Sequence, residues 1–233
     1  GKDVSTSQPS PGDLMELWNR VLALGYDDIV YIPMSSGLSN SYASAAVLAE
    51  EYDHRVHVVD NHRISIPQLA SVMDAVKLVS EGRTAGEIKE LLEKAALEAS
   101  IYIAVDTLEF LKKGGRVTPA AAAIGSVLGI KPLLSIQGDK LDAYAKVRGM
   151  KRCRRRLIEA VEKDLNERFS EGDMSKVRIA TAGSFRNPEL AEDWRQEVAR
   201  AFPDYEVVYR DLGCSIESHT GPEAMAAGVF RMF

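Results

Sequence analysis

The chain reads as an α/β protein of two domains, the first (residues 1–115) a doubly wound, mostly parallel sheet and the second (residues 116–233) a mixed sheet with helices. Three observations predict this. From Asp28 to Asp106, short apolar runs alternate with amphipathic stretches, the form that parallel strands linked by helices take. The rhythm breaks at Lys112-Lys113-Gly114-Gly115-Arg116, two glycines among three cations, which sets the domain boundary. Beyond it, Leu133 to Ile136 and Leu141 to Val147 flank Gly138-Asp139, a hairpin turn that brings antiparallel pairing.

Each element has a local reason. Ser10-Pro11-Gly12-Asp13 opens a helix, with Ser10 as N-cap, Pro11 at the first helical position and Asp13 near the positive end of the dipole. Leu14, Leu17, Trp18, Val21 and Leu22 follow helical spacing, and Gly25 ends the helix. Asp28 to Met34 is apolar without alternation, as a strand covered on both faces requires. A helix with Tyr42, Ala45, Ala46, Leu48 and Ala49 follows, then the strand Val56 to Asp60. Ile66, Leu69, Val72, Met73 and Val76 mark the apolar stripe of the next helix, Thr84-Ala85-Gly86-Glu87 is a capping box, and Ile101 to Val105 closes the first sheet. In the second domain Thr118 to Gly129 reads as an Ala-rich helix and Met150 to Phe169 as a long one. The cations in the first turns of the long helix oppose its dipole, and they read as a solvated face balanced by Glu159, Glu162 and Asp164 or as a docking surface for an acidic partner. Val177 to Ala182, a helix around Leu190 to Ala201, and Glu206 to Tyr209 complete the pattern.

A net charge of −5 argues against a nucleic-acid surface, which needs clustered positive charge. No apolar run is long enough to span a bilayer and no basic-then-apolar leader opens the chain, so a cytoplasmic location is expected. The opening Gly1-Lys2-Asp3-Val4 lacks an initiator Met, which points to residues ahead of it or a cut there. Cys153 and Cys214 are too few for a disulfide framework or zinc site, and each is expected to be a small buried hydrophobe. There is no metal-ligand cluster, Walker loop or Gly-x-Gly-x-x-Gly turn, and no cofactor is expected.

The stretch Tyr31 to Ala45 passes from an apolar strand through Ser35-Ser36-Gly37-Leu38-Ser39 into a helix, the form of a cradle for a carboxylate or phosphate. An ordinary strand-to-helix turn capped by Ser39 or Asn40 fits the same residues. His219 lies among hydroxyls at a helix entrance and is the best-placed of the four histidines, either as a functional imidazole or as a turn residue bonding to backbone. A Ser36–His219 pair would suit an ester or phosphoester hydrolase, although the Gly-x-Ser-x-Gly elbow is absent.

Taken in order, Thr6-Ser7-Gln8-Pro9-Ser10, Ser35-Ser36-Gly37-Leu38-Ser39, Asp106 to Arg116, Val147-Arg148-Gly149 and His219-Thr220-Gly221-Pro222 resemble the DegV family. The resemblance covers essentially the whole chain; family members carry on the order of fifty further residues in front, a strand with an Asp-Ser-Thr motif and its helix. Asn40-Ser41 stands where Gly-Thr is frequent, and Glu223-Ala224-Met225 replaces the commoner Gly-Ala-Leu. The resemblance implies a non-catalytic lipid carrier that holds a long-chain fatty acid in an apolar tunnel between two α/β domains. It further implies presentation of the acid to a separate ATP-binding fatty-acid kinase subunit, which makes acyl phosphate for bacterial phospholipid synthesis. By motif, Thr6, Ser36 and His219 would hold the carboxylate, and Arg116 and Arg148 would face the acyl phosphate or the kinase. Burying a tail of ~16 carbons at about 0.8 kcal/mol per CH₂ yields on the order of 12 kcal/mol before costs, so the tail supplies affinity and the hydroxyls orient the head.

Overall fold

The computed structural model describes residues 4–123, 130–138 and 140–233. Two compact α/β units form, one spanning Ser7–Leu97 and the other Glu98–Phe233 together with Val4, Ser5 and Thr6.

In the unit Ser7–Leu97, helix α1 (Pro11–Ala23) begins as its sequence requires: the Ser10 hydroxyl accepts the Asp13 N–H at 3.2 Å, with Pro11 in the first turn. Strand β1 (Ile29–Tyr31) is followed by α2 (Ser41–Ala49) and by β2 (Val56–Val58), which pairs with β1 in parallel. Helices α3 (Ser65–Ser80) and α4 (Ala85–Lys94) complete the unit. Leu14 and Trp18 of α1 pack with Ala45 of α2 over Val56 and Val58, while α4 and its Gly86, beside the His57 ring, lie on the other face. Trp18 meets Tyr31 and Tyr52 edge-on, with ring centroids 5.6 and 5.3 Å away. The capping box at Thr84 and Glu87 forms in both directions.

Helix α3 departs from expectation. Ile66 is buried, but Leu69, Val72, Met73 and Val76 are exposed, Met73 at 56% and Val76 at 67%. The buried face is instead Ile66, Pro67, Ala70, Ser71, Asp74, Ala75 and Leu78. Small side chains at Ala70, Ser71 and Ala75 let the helix backbone approach its neighbours closely, which the bulkier stripe does not allow.

The second unit is built on a six-stranded mixed sheet. Its elements in chain order are β3 (Ala99–Ala104), α5 (Glu109–Gly114), α6 (Pro119–Ala122), β4 (Ile130–Ile136), β5 (Asp142–Arg148), α7 (Met150–Glu167), β6 (Val177–Gly183), α8 (Pro188–Ala201), β7 (Val207–Asp211), α9 (Cys214–Thr220) and β8 (Met225–Arg231). The strand order is β5-β4-β3-β8-β6-β7, antiparallel except for β6 with β7. β3, expected to close the first sheet, lies in the middle of this one, bonded antiparallel to β4 and β8. Residues 98–115 therefore group with the C-terminal unit, and the division falls after Leu97 instead of at 115. An apolar run buried on both faces has the same composition whichever sheet receives it, so strand character alone does not assign β3.

The β4–β5 hairpin pairs antiparallel as its turn predicts, with a register shift at Leu133/Leu134; the turn's Asp139 lies outside the described residues. So does the stretch 124–129 of the expected Ala-rich helix, of which α6 is described. One sheet face is covered by α7 and α8 through Cys153, Leu157, Val161, Trp194 and Val198. Three of the cations in the first turns of α7 find partners: Arg154 reaches Glu197 at 2.7 Å and lies over Trp194, while Arg155 and Arg156 meet Glu159 at 3.4 and 3.0 Å. Asp164 is buried and accepts the Tyr102 hydroxyl at 2.8 Å, so it belongs to the core network. Cys153 is buried as expected; Cys214 is exposed at the start of α9, because the polar segment around it leaves that helix end at the surface.

Candidate functional site

Ser36 sits in the loop between β1 and α2, and that loop is folded on its own hydroxyls. The buried Ser35 anchors it: its N–H donates to the Arg63 carbonyl at 2.8 Å, and its Oγ accepts the Gly37 N–H at 3.2 Å. Its carbonyl accepts the N–H groups of Leu38 and Ser39 at 3.0 and 3.1 Å. Ser39 Oγ takes the Ser41 N–H at 3.2 Å; Asn40, at the N-cap position, makes no capping bond and donates to Ser44 Oγ. The Ser36 N–H donates to Asp60 Oδ1 at 3.3 Å. Serine oxygens and one carboxylate therefore occupy the N–H groups of Ser36, Gly37, Leu38, Ser39 and Ser41. What the loop offers outward is the exposed Ser36 side chain.

Asp60, which ends an apolar run at the β2 terminus as Asp106 does after β3, is a site residue that sequence reasoning misses. Its Oδ2 lies 3.6 Å from His62 Nε2, and its N–H donates to Glu93 Oε1 at 3.1 Å, a carboxylate held by Lys89 at 2.8 Å. The cradle is thus bordered by negative charge. Asp106 itself is ion-paired with Lys131.

Thr6 and His219 meet in the other unit. Thr6 Oγ1 lies 2.7 Å from His219 Nε2, a hydrogen bond between groups 213 residues apart in sequence. His219 is the penultimate residue of α9, and Gly221 turns the chain away at φ +75°. Burial pushes the His219 pKa down, and the Arg116 charge adds to the shift, so the ring is held neutral. A neutral imidazole can donate from Nε2 to Thr6 Oγ1, which leaves the threonine proton free to donate onward. Arg116 also donates to the Gly114 carbonyl. Among the described residues no carboxylate bonds to His219, so the imidazole lacks the orienting acid that a serine–histidine nucleophile uses.

Arg148 ends β5, the edge strand, with its side chain exposed, and makes no ion pair among the described residues. No group of His, Cys, Asp and Glu among the described residues could hold a metal ion. No described helix is long and apolar enough to cross a membrane.

Known proteins share this architecture. The family profile described as "Uncharacterised protein, DegV family" matches residues 1–232. A DegV domain-containing protein of Deinococcus radiodurans is 31% identical over 228 residues, covering 97% of this chain and 77% of the relative. Among solved structures, a fatty-acid-binding DegV family protein from Thermus thermophilus superposes with a TM-score of 0.85 at 30% identity, covering 98% of this chain and 79% of that one. DegV of Bacillus subtilis, described as a fatty acid binding protein, gives 0.81 at 27% identity, covering 97% and 78%. By the extent of the profile match and the identity to its relatives, this chain belongs to the DegV family.

Proposed function

We propose that the chain binds a long-chain fatty acid and presents its carboxylate to a separate ATP-dependent kinase subunit, without turnover of its own. The observation that carries this reading is the 2.7 Å contact of Thr6 Oγ1 with a neutral, partly buried His219. Such a pair orients a hydroxyl proton outward at little entropic cost, which suits an anionic head group whose affinity comes from elsewhere. Ser36, whose N–H is already committed to Asp60, keeps its exposed hydroxyl available to a carboxylate. The DegV proteins of Thermus thermophilus and Bacillus subtilis, similar to this chain, are described as binding fatty acids.

In the reaction, the carboxylate oxygen attacks the γ-phosphorus of ATP on the partner, giving acyl phosphate and ADP. The carrier's task is to hold the carboxylate deprotonated and correctly turned. Arg148, exposed and free of intrachain ion pairs among the described residues, is the guanidinium to meet the phosphoryl group or the partner's surface; Arg116 stands beside His219 and shares that role. The setting is the bacterial cytoplasm, upstream of phospholipid synthesis. The hydrolase alternative gains nothing from this geometry, since His219 Nε2 is engaged by Thr6.

Denaturing extraction and mass spectrometry of the purified protein should release a fatty acid, and Arg148→Ala should retain it while losing acyl-phosphate formation with the kinase subunit. A protein that neither carries nor takes up fatty acid, or an Arg148→Ala variant with normal acyl-phosphate formation, would remove the respective half of the proposal.

A further inference from the structure

Two adjacent glycines end α5, and they serve different needs. Gly115 adopts φ +68°, where an L side chain is strained, yet a Cβ added there would meet nothing within 4 Å. At Gly114 the backbone lies outside the left-handed region, so conformation does not demand glycine. Space does: a Cβ would stand 2.3 Å from His219 Nδ1, 2.9 Å from Cε1 and 3.5 Å from Cγ. The contact is reciprocated, because a Cβ on Gly221, just past α9, would lie 2.6 Å from Cδ2 of Phe110. Phe110 and Gly114 are one turn apart and share a face of α5. Each helix therefore offers one ring and one notch to the other.

We infer that Gly114 is the positioning residue for His219: its missing side chain forms the seat that brings Nε2 to Thr6. A Cβ at 2.3 Å must displace something, and the imidazole is the free end of a side chain, so the ring moves. A shift of about 1 Å takes the 2.7 Å Thr6 contact beyond hydrogen-bond range. The consequence for ligand affinity rests on the reading of Thr6, held by His219, as a carboxylate donor; the seating itself does not.

The test compares Gly114→Ala, Gly115→Ala, His219→Ala, Thr6→Val and two double variants by ¹⁵N NMR of the His219 ring, palmitate titration and thermal melting. Gly114→Ala should change the ring nitrogen shifts, weaken palmitate roughly tenfold, the scale of one lost hydrogen bond, and add no further loss in the Thr6→Val background. Gly115→Ala should lower the melting temperature while its folded fraction keeps wild-type ring shifts and palmitate affinity. If Gly114→Ala does not fold, Gly114→Ala with His219→Ala should fold as well as His219→Ala alone, since removing the ring empties the seat. Unchanged ring shifts in Gly114→Ala, an equal palmitate loss with and without the Thr6 hydroxyl, or failure of the His219→Ala rescue would overturn the inference. A wild-type protein that binds no palmitate would count against the ligand reading, while the ring shifts and the rescue would still decide the role of Gly114.

Discussion

The Ser36 loop and the Thr6–His219 pair both present a hydroxyl, but they are held in opposite ways. The loop is a local construction: Ser35, Gly37, Leu38, Ser39 and Ser41 satisfy one another within seven residues, and Asp60 takes the remaining N–H at Ser36. The pair joins a threonine near the start of the chain to a histidine near its end, and nothing local secures it. Removing the Ser36 hydroxyl therefore disturbs only what it touches outside, whereas removing Thr6 leaves a half-buried imidazole nitrogen without its partner.

Thr6→Val should accordingly have the largest effect. It deletes one donor to the ligand and one partner of His219 at nearly constant volume, and palmitate binding should weaken by about 2–4 kcal/mol. Calorimetric titration measures it, and a change within twofold would contradict the pair's role. Ser36→Ala comes next, at about 0.5–2 kcal/mol in palmitate affinity, with the melting temperature essentially unmoved because the loop's own hydrogen bonds remain. A variant that melts early would mean that the side chain serves the loop instead of a ligand.

The same contrast explains what could be read from sequence. The strand, the small hydroxyl run and the following helix mark the Ser36 loop within fifteen residues, because local hydrogen bonds leave a local composition. No spacing links Thr6 to His219; only resemblance to a family brought them together. Asp60 is not legible in the sequence because a lone acid at a strand end has no pattern. The buried-strand character of β3 is legible in its sequence and its neighbours are not, since pairing is non-local. On α3 the period was legible and the facing was not, because both sides of that helix carry apolar residues and packing chose the smaller ones.

A smaller effect sharpens the comparison at the loop. Asp60→Asn keeps an oxygen acceptor for the Ser36 N–H and removes a negative charge beside the cradle, so palmitate should bind about two- to threefold more tightly at low salt, with the gain fading as salt screens the site. Weaker binding at every salt concentration would show that the charge itself is needed to shape the loop. The last effect concerns the pair and is read in stability. The folded protein holds the His219 pKa below its unfolded value, so on acidification the unfolded chain takes up a proton first. Stability should be fully retained above the ordinary imidazole range and should decline as pH falls through it towards the folded pKa. Urea midpoints of wild type and His219→Gln between pH 7.5 and 5.5 measure this, and identical slopes would mean that the imidazole is not held neutral.

The central claim is that hydroxyls read the carboxylate while the tail supplies the affinity. The most direct measurement is the ratio of dissociation constants for palmitate and hexadecanol, which share a tail and differ in the head, in wild type and in Thr6→Val/Ser36→Ala. The account predicts that wild type prefers the acid by at least tenfold, on the order of one charge-assisted hydrogen bond. In the double variant that preference should collapse while hexadecanol binding changes little. An unchanged preference in the folded double variant, or no preference in wild type, would contradict it.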